Sequence, residues 1–143
     1  MATVGRYNTL KVLRETSSGY FLDGEELGDI LLPGKYAPRR LKEDDEIEVF
    51  LYFDSEDRII ATKEEPDCEV GDFALLEVVE VNEIGAFLNW GLQKDLLVPF
   101  REQKLKMEPG SWHIVYVYID EKTGRIAASA KVDKFLGLQP ADY

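Results

Sequence analysis

Shifted by 66 residues, the chain lines up with most of itself, so whatever it folds into must be a unit that can be built twice. Gly5-Arg6-Tyr7 falls on Gly71-Asp72-Phe73, Leu10-Lys11-Val12 on Leu76-Glu77-Val78, and Gly19-Tyr20-Phe21-Leu22 on Gly85-Ala86-Phe87-Leu88. Asp29-Ile30-Leu31-Leu32-Pro33 meets Asp95-Leu96-Leu97-Val98-Pro99 without a gap. The register runs on through Val49 to Asp54 and Val115 to Asp120, then slips by one residue beside Gly124, so that Arg58-Ile59 meets Arg125-Ile126. A chain of 143 residues has room for two small modules of this size.

Within each copy, short apolar and β-branched runs alternate with turn signals, which predicts strands rather than helices. In the second copy the strands are expected at Phe73 to Val81, Gly85 to Asn89, Asp95 to Pro99, Trp112 to Asp120 and Arg125 to Lys131. Asp23-Gly24, Asn89-Trp90-Gly91 and Thr123-Gly124 suit the hairpin joints, because Gly and Asn reach positive φ at little cost. Pro33 to Pro38 and Phe100 to Gly110 are too long and too polar for hairpins, and predict crossovers with at most a short helix. A three-strand meander, a crossover and a closing hairpin describe an all-β chain of two tandem five-stranded barrels of the OB type. The expected division is 1–66 for the first barrel, 67–136 for the second and 137–143 for a tail. So small a barrel buries only about 60% of its unfolded surface. The short acidic junction Glu64-Glu65-Pro66-Asp67 therefore predicts a semi-rigid pair that gains from packing.

Charge then narrows the function. Lys and Arg total 17 against 28 Asp and Glu, a net charge of −11, which argues against sequence-independent binding of a phosphate backbone by the chain as a whole. Any nucleic-acid site must be local. The one cysteine, Cys68, has no partner for a disulfide, and with the one histidine, His113, it leaves no ligand set for a structural zinc. No Gly-rich phosphate loop precedes a helix, and no cofactor is expected. The longest apolar runs fall far short of a membrane span, and the N-terminus lacks a signal pattern, so a soluble cytoplasmic protein is expected. Catalysis has little support. Glu43-Asp44-Asp45-Glu46 and Glu25-Glu26 read as solvated acidic surface, Ser111-Trp112-His113 opens a strand rather than a nucleophile elbow, and His113 aligns with Ile47.

Gly71-Asp72-Phe73, Ile84-Gly85-Ala86-Phe87-Leu88, Leu96-Leu97-Val98 and Gly124-Arg125-Ile126 resemble the pattern of the S1-type RNA-binding domain. The stretches Gly85 to Leu92, Lys94 to Gln103 and Thr123 to Ile126, with Ala128-Ser129-Ala130-Lys131, are similar to the bacterial conserved virulence factor B family. Gly28 to Pro33 and Phe50 to Arg58 resemble that family's degenerate first repeat. The resemblance implies tandem S1-type barrels and a non-enzymatic regulatory protein that binds RNA. Family members carry a further S1-type barrel and a C-terminal winged-helix module, so the chain is expected to correspond to their N-terminal half. The missing modules would be its partners in a full-length protein. The S1 pattern has an aromatic before the Gly of its Gly-Ala-Phe motif and a histidine after the third strand. Here those positions hold Ile84 and Pro99, and Ser18 and Pro33.

OB-type surfaces bind single strands by stacking bases on aromatics and tracking phosphates with cations. Phe87, with Phe21 in the first copy, matches the stacking position; a place in the core is the competing reading. Trp90 sits in a turn, as either a platform or a plug between the barrels. The crossovers concentrate cations: Lys35, Arg39, Arg40 and Lys42 in the first copy, Arg101, Lys104 and Lys106 in the second. With Arg58 and Arg125 they form a candidate phosphate track, set against a solvated loop face. Asp54 and Asp120 match an acidic position of the family that accepts from a base or ribose, although each is also placed to start its turn. Phe50, Tyr52, Tyr116 and Tyr118 are expected to pack across strands. These residues predict weak binding of single-stranded RNA, with the second barrel the stronger candidate. The alternative is a degenerate pair of barrels that serves as a protein-interaction or scaffolding module.

Overall fold

The computed structural model describes residues 2–54 and 56–135. The chain divides into two compact units, Met1–Glu65 and Pro66–Tyr143, and the expected tail at 137–143 lies outside the described residues.

In the first unit, β1 (Tyr7–Thr16), β2 (Gly19–Asp23), β3 (Asp29–Pro33), β4 (Glu46–Phe53) and β5 (Ile59–Thr62) close into a barrel in the order β1-β2-β3-β5-β4. All neighbours are antiparallel except β3 and β5, which meet in parallel at Leu31 and Ile60 and seal the barrel. Alternation sends Leu10, Val12, Leu22, Ile30, Leu32, Val49, Leu51 and Ala61 inward, where they form the core. Closure leaves no free sheet edge. The crossover begins with a single 3₁₀ turn, Gly34–Tyr36, and buried Leu41 anchors it by donating its amide to the Tyr20 hydroxyl at 3.2 Å.

The second unit repeats the plan with β6 (Phe73–Val81), β7 (Gly85–Asn89), β8 (Leu96–Pro99), β9 (Trp112–Ile119) and β10 (Ile126–Ser129), in the order β10-β9-β6-β7-β8. β8 and β10 adjoin without a hydrogen-bonded ladder, so this barrel is open at the seam that the first one closes. The all-β, twofold five-stranded architecture read from the repeat is the one observed. The last strand stops two residues short of the expected Lys131. Ala130 donates its amide to the Glu102 carbonyl at 2.9 Å, and the chain turns into a 3₁₀ segment, Val132–Phe135. That turn lays Phe135 on Tyr116 and Tyr118, with ring centroids at 4.3 and 5.7 Å. In the first unit the equivalent Phe50 and Tyr52 are buried and stacked on each other at 6.5 Å. These four aromatics pack rather than project.

One irregularity recurs in both units and reverses the facing of a charged side chain in each. β1 slips register between Val12 and Arg14, and β6 does so between Val78 and Glu80. By strict alternation Arg14 would follow Leu10 and Val12 inward. The β-bulge turns it outward, opposite Phe21, and the same device turns Glu80 outward opposite Phe87.

Candidate nucleic-acid interface

An outward row of side chains crosses each barrel. In the first, Arg14 faces Phe21, Phe21 faces Leu31, and Leu31 meets Ile60. The Arg14 guanidinium lies over the Phe21 ring, 4.6 Å from its centroid, and Nη1 donates to Asp29 Oδ2 at 3.0 Å. In the second, Phe87 stands between Glu80 and Leu97. Asp95, the counterpart of Asp29, has its pKa raised by burial and by the neighbouring Glu80 charge, so this face is electronegative. Phe21 and Phe87 are both half-buried on the face opposite the core residues Leu22 and Leu88. One fold position thus carries opposite charge in the two copies.

The crossover cations are exposed, and most of them face a carboxylate. Arg101 Nη2 reaches Asp120 Oδ2 at 3.0 Å, Lys104 lies 4.0 Å from Asp133, Arg39 3.2 Å from Asp45 and Arg40 3.6 Å from Glu15. Arg58 pairs with Asp54 at 3.2 Å and also with Glu56. Lys35 lies over the Tyr36 ring at 5.0 Å. The Arg125 amide donates to Thr123 Oγ1 at 3.2 Å within the hairpin. Asp120 does the turn work too, with Oδ1 accepting the Lys122 amide at 2.8 Å; Asp54 Oδ1 accepts the amides of Glu56 and Arg58. The structure therefore joins Arg101 to Asp120, while Arg39, Arg40 and Arg58 of the first copy each face carboxylates of their own unit.

Lys104 and Lys106 stand on a shallow groove of about 290 Å³ whose apolar lining includes Val81, Phe100, Leu105 and Met107. Phe100 is half exposed there. Sequence reasoning passed over it because it follows Pro99, which holds the family's histidine position, and the motif assigns it nothing. The usable aromatic beside these lysines is Phe100.

Trp90 requires a correction as a candidate contact. It is 3% exposed, and its indole Nε1 donates to the Lys94 carbonyl at 2.8 Å, so its face is not available for stacking. A large aromatic in a hairpin turn folds back to avoid water, and its one donor is satisfied by the same loop. Ser111 Oγ lies 3.0 Å from His113 Nε2, but the hydroxyl donates to the Glu108 carbonyl at 2.5 Å. That proton is directed away from the imidazole, an arrangement that makes a turn rather than a nucleophile. Burial pushes the Cys68 thiol up to about 12, which suppresses the thiolate. Among the described residues no three of His, Cys, Asp and Glu converge as a metal requires, and no helix is long and apolar enough to cross a membrane.

Among the described residues, four carboxylates have depressed pKa values. Asp45 is held down mainly by the Lys42 amide and by Arg39, and Asp120 by the Lys122 amide and Arg101. For Asp54 and Glu102 burial acts upward, and is outweighed by the hairpin amides and Arg58 in one case and by Lys134 and Ser129 in the other. A folded pKa below the unfolded value stabilises the fold above the ordinary carboxylate range. That contribution is lost as pH falls through the folded value. Melting temperature should therefore hold from pH 7 to about 5 and fall steadily toward pH 3, with Glu102→Gln flattening part of the fall. An unchanged melting temperature between pH 5 and 3 would contradict this.

Closed and open five-stranded barrels in one Greek-key order, each with an aromatic on the outward row after its Gly, define a tandem S1 protein. Residues 4–64 and 70–131 both match the S1 domain, and the chain belongs to that family. Its homologues include conserved virulence factor B of Staphylococcus aureus strain USA300, 27% identical over 91% of this chain and 46% of that protein. Another is the uncharacterized protein YitL of Bacillus subtilis strain 168, 38% identical over 66% of this chain and 32% of that protein. The chain spans less than half the length of these curated relatives. A solved multidomain protein with nucleic acid binding domains from Streptococcus pneumoniae TIGR4 superposes with a TM-score of 0.70 at 22% identity, covering 87% of this chain and 45% of that one. That likeness is one of fold.

Proposed function

We propose that the chain is a non-enzymatic, cytoplasmic regulatory protein that binds single-stranded RNA weakly through its S1 barrels. The observation that carries this reading is the groove of the second unit, which Lys104 and Lys106 line together with the exposed Phe100. Cations beside an aromatic are the two components that single-strand binding needs, and Arg101 extends the charge along the same crossover. With a net charge of −11 and most crossover cations already facing a carboxylate, affinity should be on the order of 10⁻⁴ to 10⁻⁶ M and should weaken as salt rises. The test is titration with a short oligouridylate at low and moderate salt. Reversing Arg101, Lys104 and Lys106 to Glu is expected to weaken binding at least about tenfold and to flatten its salt dependence. Phe87→Ala should leave the salt dependence unchanged. Binding untouched by the charge reversal would sink the groove assignment.

One observation favours a second reading, protein interaction. Leu75 and Ile114 face each other across β6 and β9, and with Phe73 and Trp112 they are 41% to 59% exposed on the sheet's outer face. The first copy has Tyr7, Thr9, Glu46 and Glu48 at those places. A folded chain that binds no RNA at low salt would move the assignment to this reading.

A further inference from the structure

We propose that the residue after the β-bulge of each first strand selects which barrel accepts a base, so that Arg14 makes Phe21 a stacking platform and Glu80 closes the equivalent place at Phe87. The inference rests on the nucleic-acid reading and adds a second contact, in the first barrel, separate from the lysine groove.

The two barrels are internal controls for each other. Strand order, bulge, outward aromatic and flanking aliphatic are shared: Phe21 beside Leu31, Phe87 beside Leu97. The sign of the charge on the bulged strand differs. Arg14 lies over Phe21 with its guanidinium carbon 4.6 Å from the ring centroid, and Asp29 fixes one end of the fork at 3.0 Å. About half of the Arg14 side chain remains exposed. A guanidinium so held presents a second planar face to a base, and its remaining N–H groups point donors at a phosphate oxygen. Asp29 restrains the fork, so less side-chain freedom is lost on binding.

At the second barrel the same place is hostile to a nucleotide. Glu80 occupies the position of Arg14, it accepts Asn82 Nδ2 at 3.2 Å, and Asp95 stands where Asp29 does. Glu80 beside Phe87, with Asp95 near enough to feel its charge, repels the phosphates on either side of any base that stacks there. The family's stacking residue is present in both copies, but only the first gives it a cation.

The experiment is titration of the full chain with the same oligouridylate at low salt, with folding of each variant checked by its melting temperature. Arg14→Glu and Phe21→Ala should each weaken binding about tenfold, the effect of losing one stacked base. Arg14→Lys keeps the charge without the planar face and should recover only part of the loss. Glu80→Arg should tighten binding several-fold, a gain that misfolding does not produce. Arg14 and Phe21 variants that bind as the parent does, or a Glu80→Arg chain with unchanged affinity, would overturn the inference and leave the lysine-groove reading intact. A parent chain that does not bind at all defeats the nucleic-acid reading itself.

Discussion

Gly19→Ala should cost the first barrel about 3 kcal/mol, whereas Gly34→Ala, next to it in space, should change stability by less than about 0.5 kcal/mol. Gly19 opens β2 at φ +144 and is paired with Pro33 on β3. A Cβ there would meet the Leu32 carbonyl oxygen, the Gly34 amide at 2.6 Å and the Pro33 carbonyl carbon at 2.9 Å, all of them backbone atoms. No rotamer change relieves such a contact; the strands must separate, and β2 lies between β1 and β3 in a closed barrel. A Cβ on Gly34 meets nothing closer than 3.8 Å. With total stabilities of about 5–15 kcal/mol in most domains, the Gly19 change is large enough to be read from the midpoint of urea unfolding. Equal midpoints for the two variants would refute the close-approach argument. The same logic applies to Gly85, whose Cβ would lie 2.5 Å from the Val98 carbonyl oxygen. This is the physical reason for the Gly that opens the Gly-Ala-Phe motif.

Trp90→Ala should destabilise the second unit by about 3–5 kcal/mol and should not remove a nucleic-acid contact. The ring is almost wholly buried, its Nε1 is bonded to the Lys94 carbonyl, and the Trp90 carbonyl accepts the Asp67 amide at 2.7 Å. Truncation leaves a ring-sized cavity and loses a satisfied donor at the same place. Trp90→Phe keeps most of the volume and separates the roles. Its urea midpoint should fall less than that of the alanine variant, and its affinity for oligouridylate, measured well below the melting temperature, should equal the parent's. A Phe variant that folds normally but loses RNA affinity would restore Trp90 as a platform.

Much of the fold was legible because the repeat tests itself. Each strand in one copy is checked by its counterpart, and the turn residues Gly24, Gly91 and Gly124 punctuate both copies. Strand positions matched within a residue or two, and the misread end at Lys131 arose because Phe135 is drawn back onto Tyr116 by ring packing that no local pattern encodes. The candidate site was legible in its residue types more than in its assembly. Lys104 and Lys106 were identified from the uneven charge of the crossover, but the aromatic that shares their groove, Phe100, was passed over although it stands in the Lys94 to Gln103 stretch. Arg58, Arg39 and Arg40 looked like a phosphate track in one dimension and proved to be paired with Asp54 and Glu56, Asp45 and Glu15.

The amino-acid sequence by itself determined the twofold repeat, the all-β class, the five-strand plan, and the acidic surface that confines any anion site to a few places. Those properties follow from periodicity, turn chemistry and summed charge, which act over a few residues or over the whole chain. The tertiary structure alone decided which face Arg14 and Glu80 occupy, whether Trp90 is wet or dry, and which cations remain to meet a ligand. A β-bulge reverses the alternation that a sequence pattern assumes, a ring in a turn is buried only if the fold supplies a cavity and an acceptor, and the charge of a side chain is compensated by neighbours brought close across strands. Each of those outcomes depends on distances between residues far apart in the chain, and a linear pattern holds no such distances.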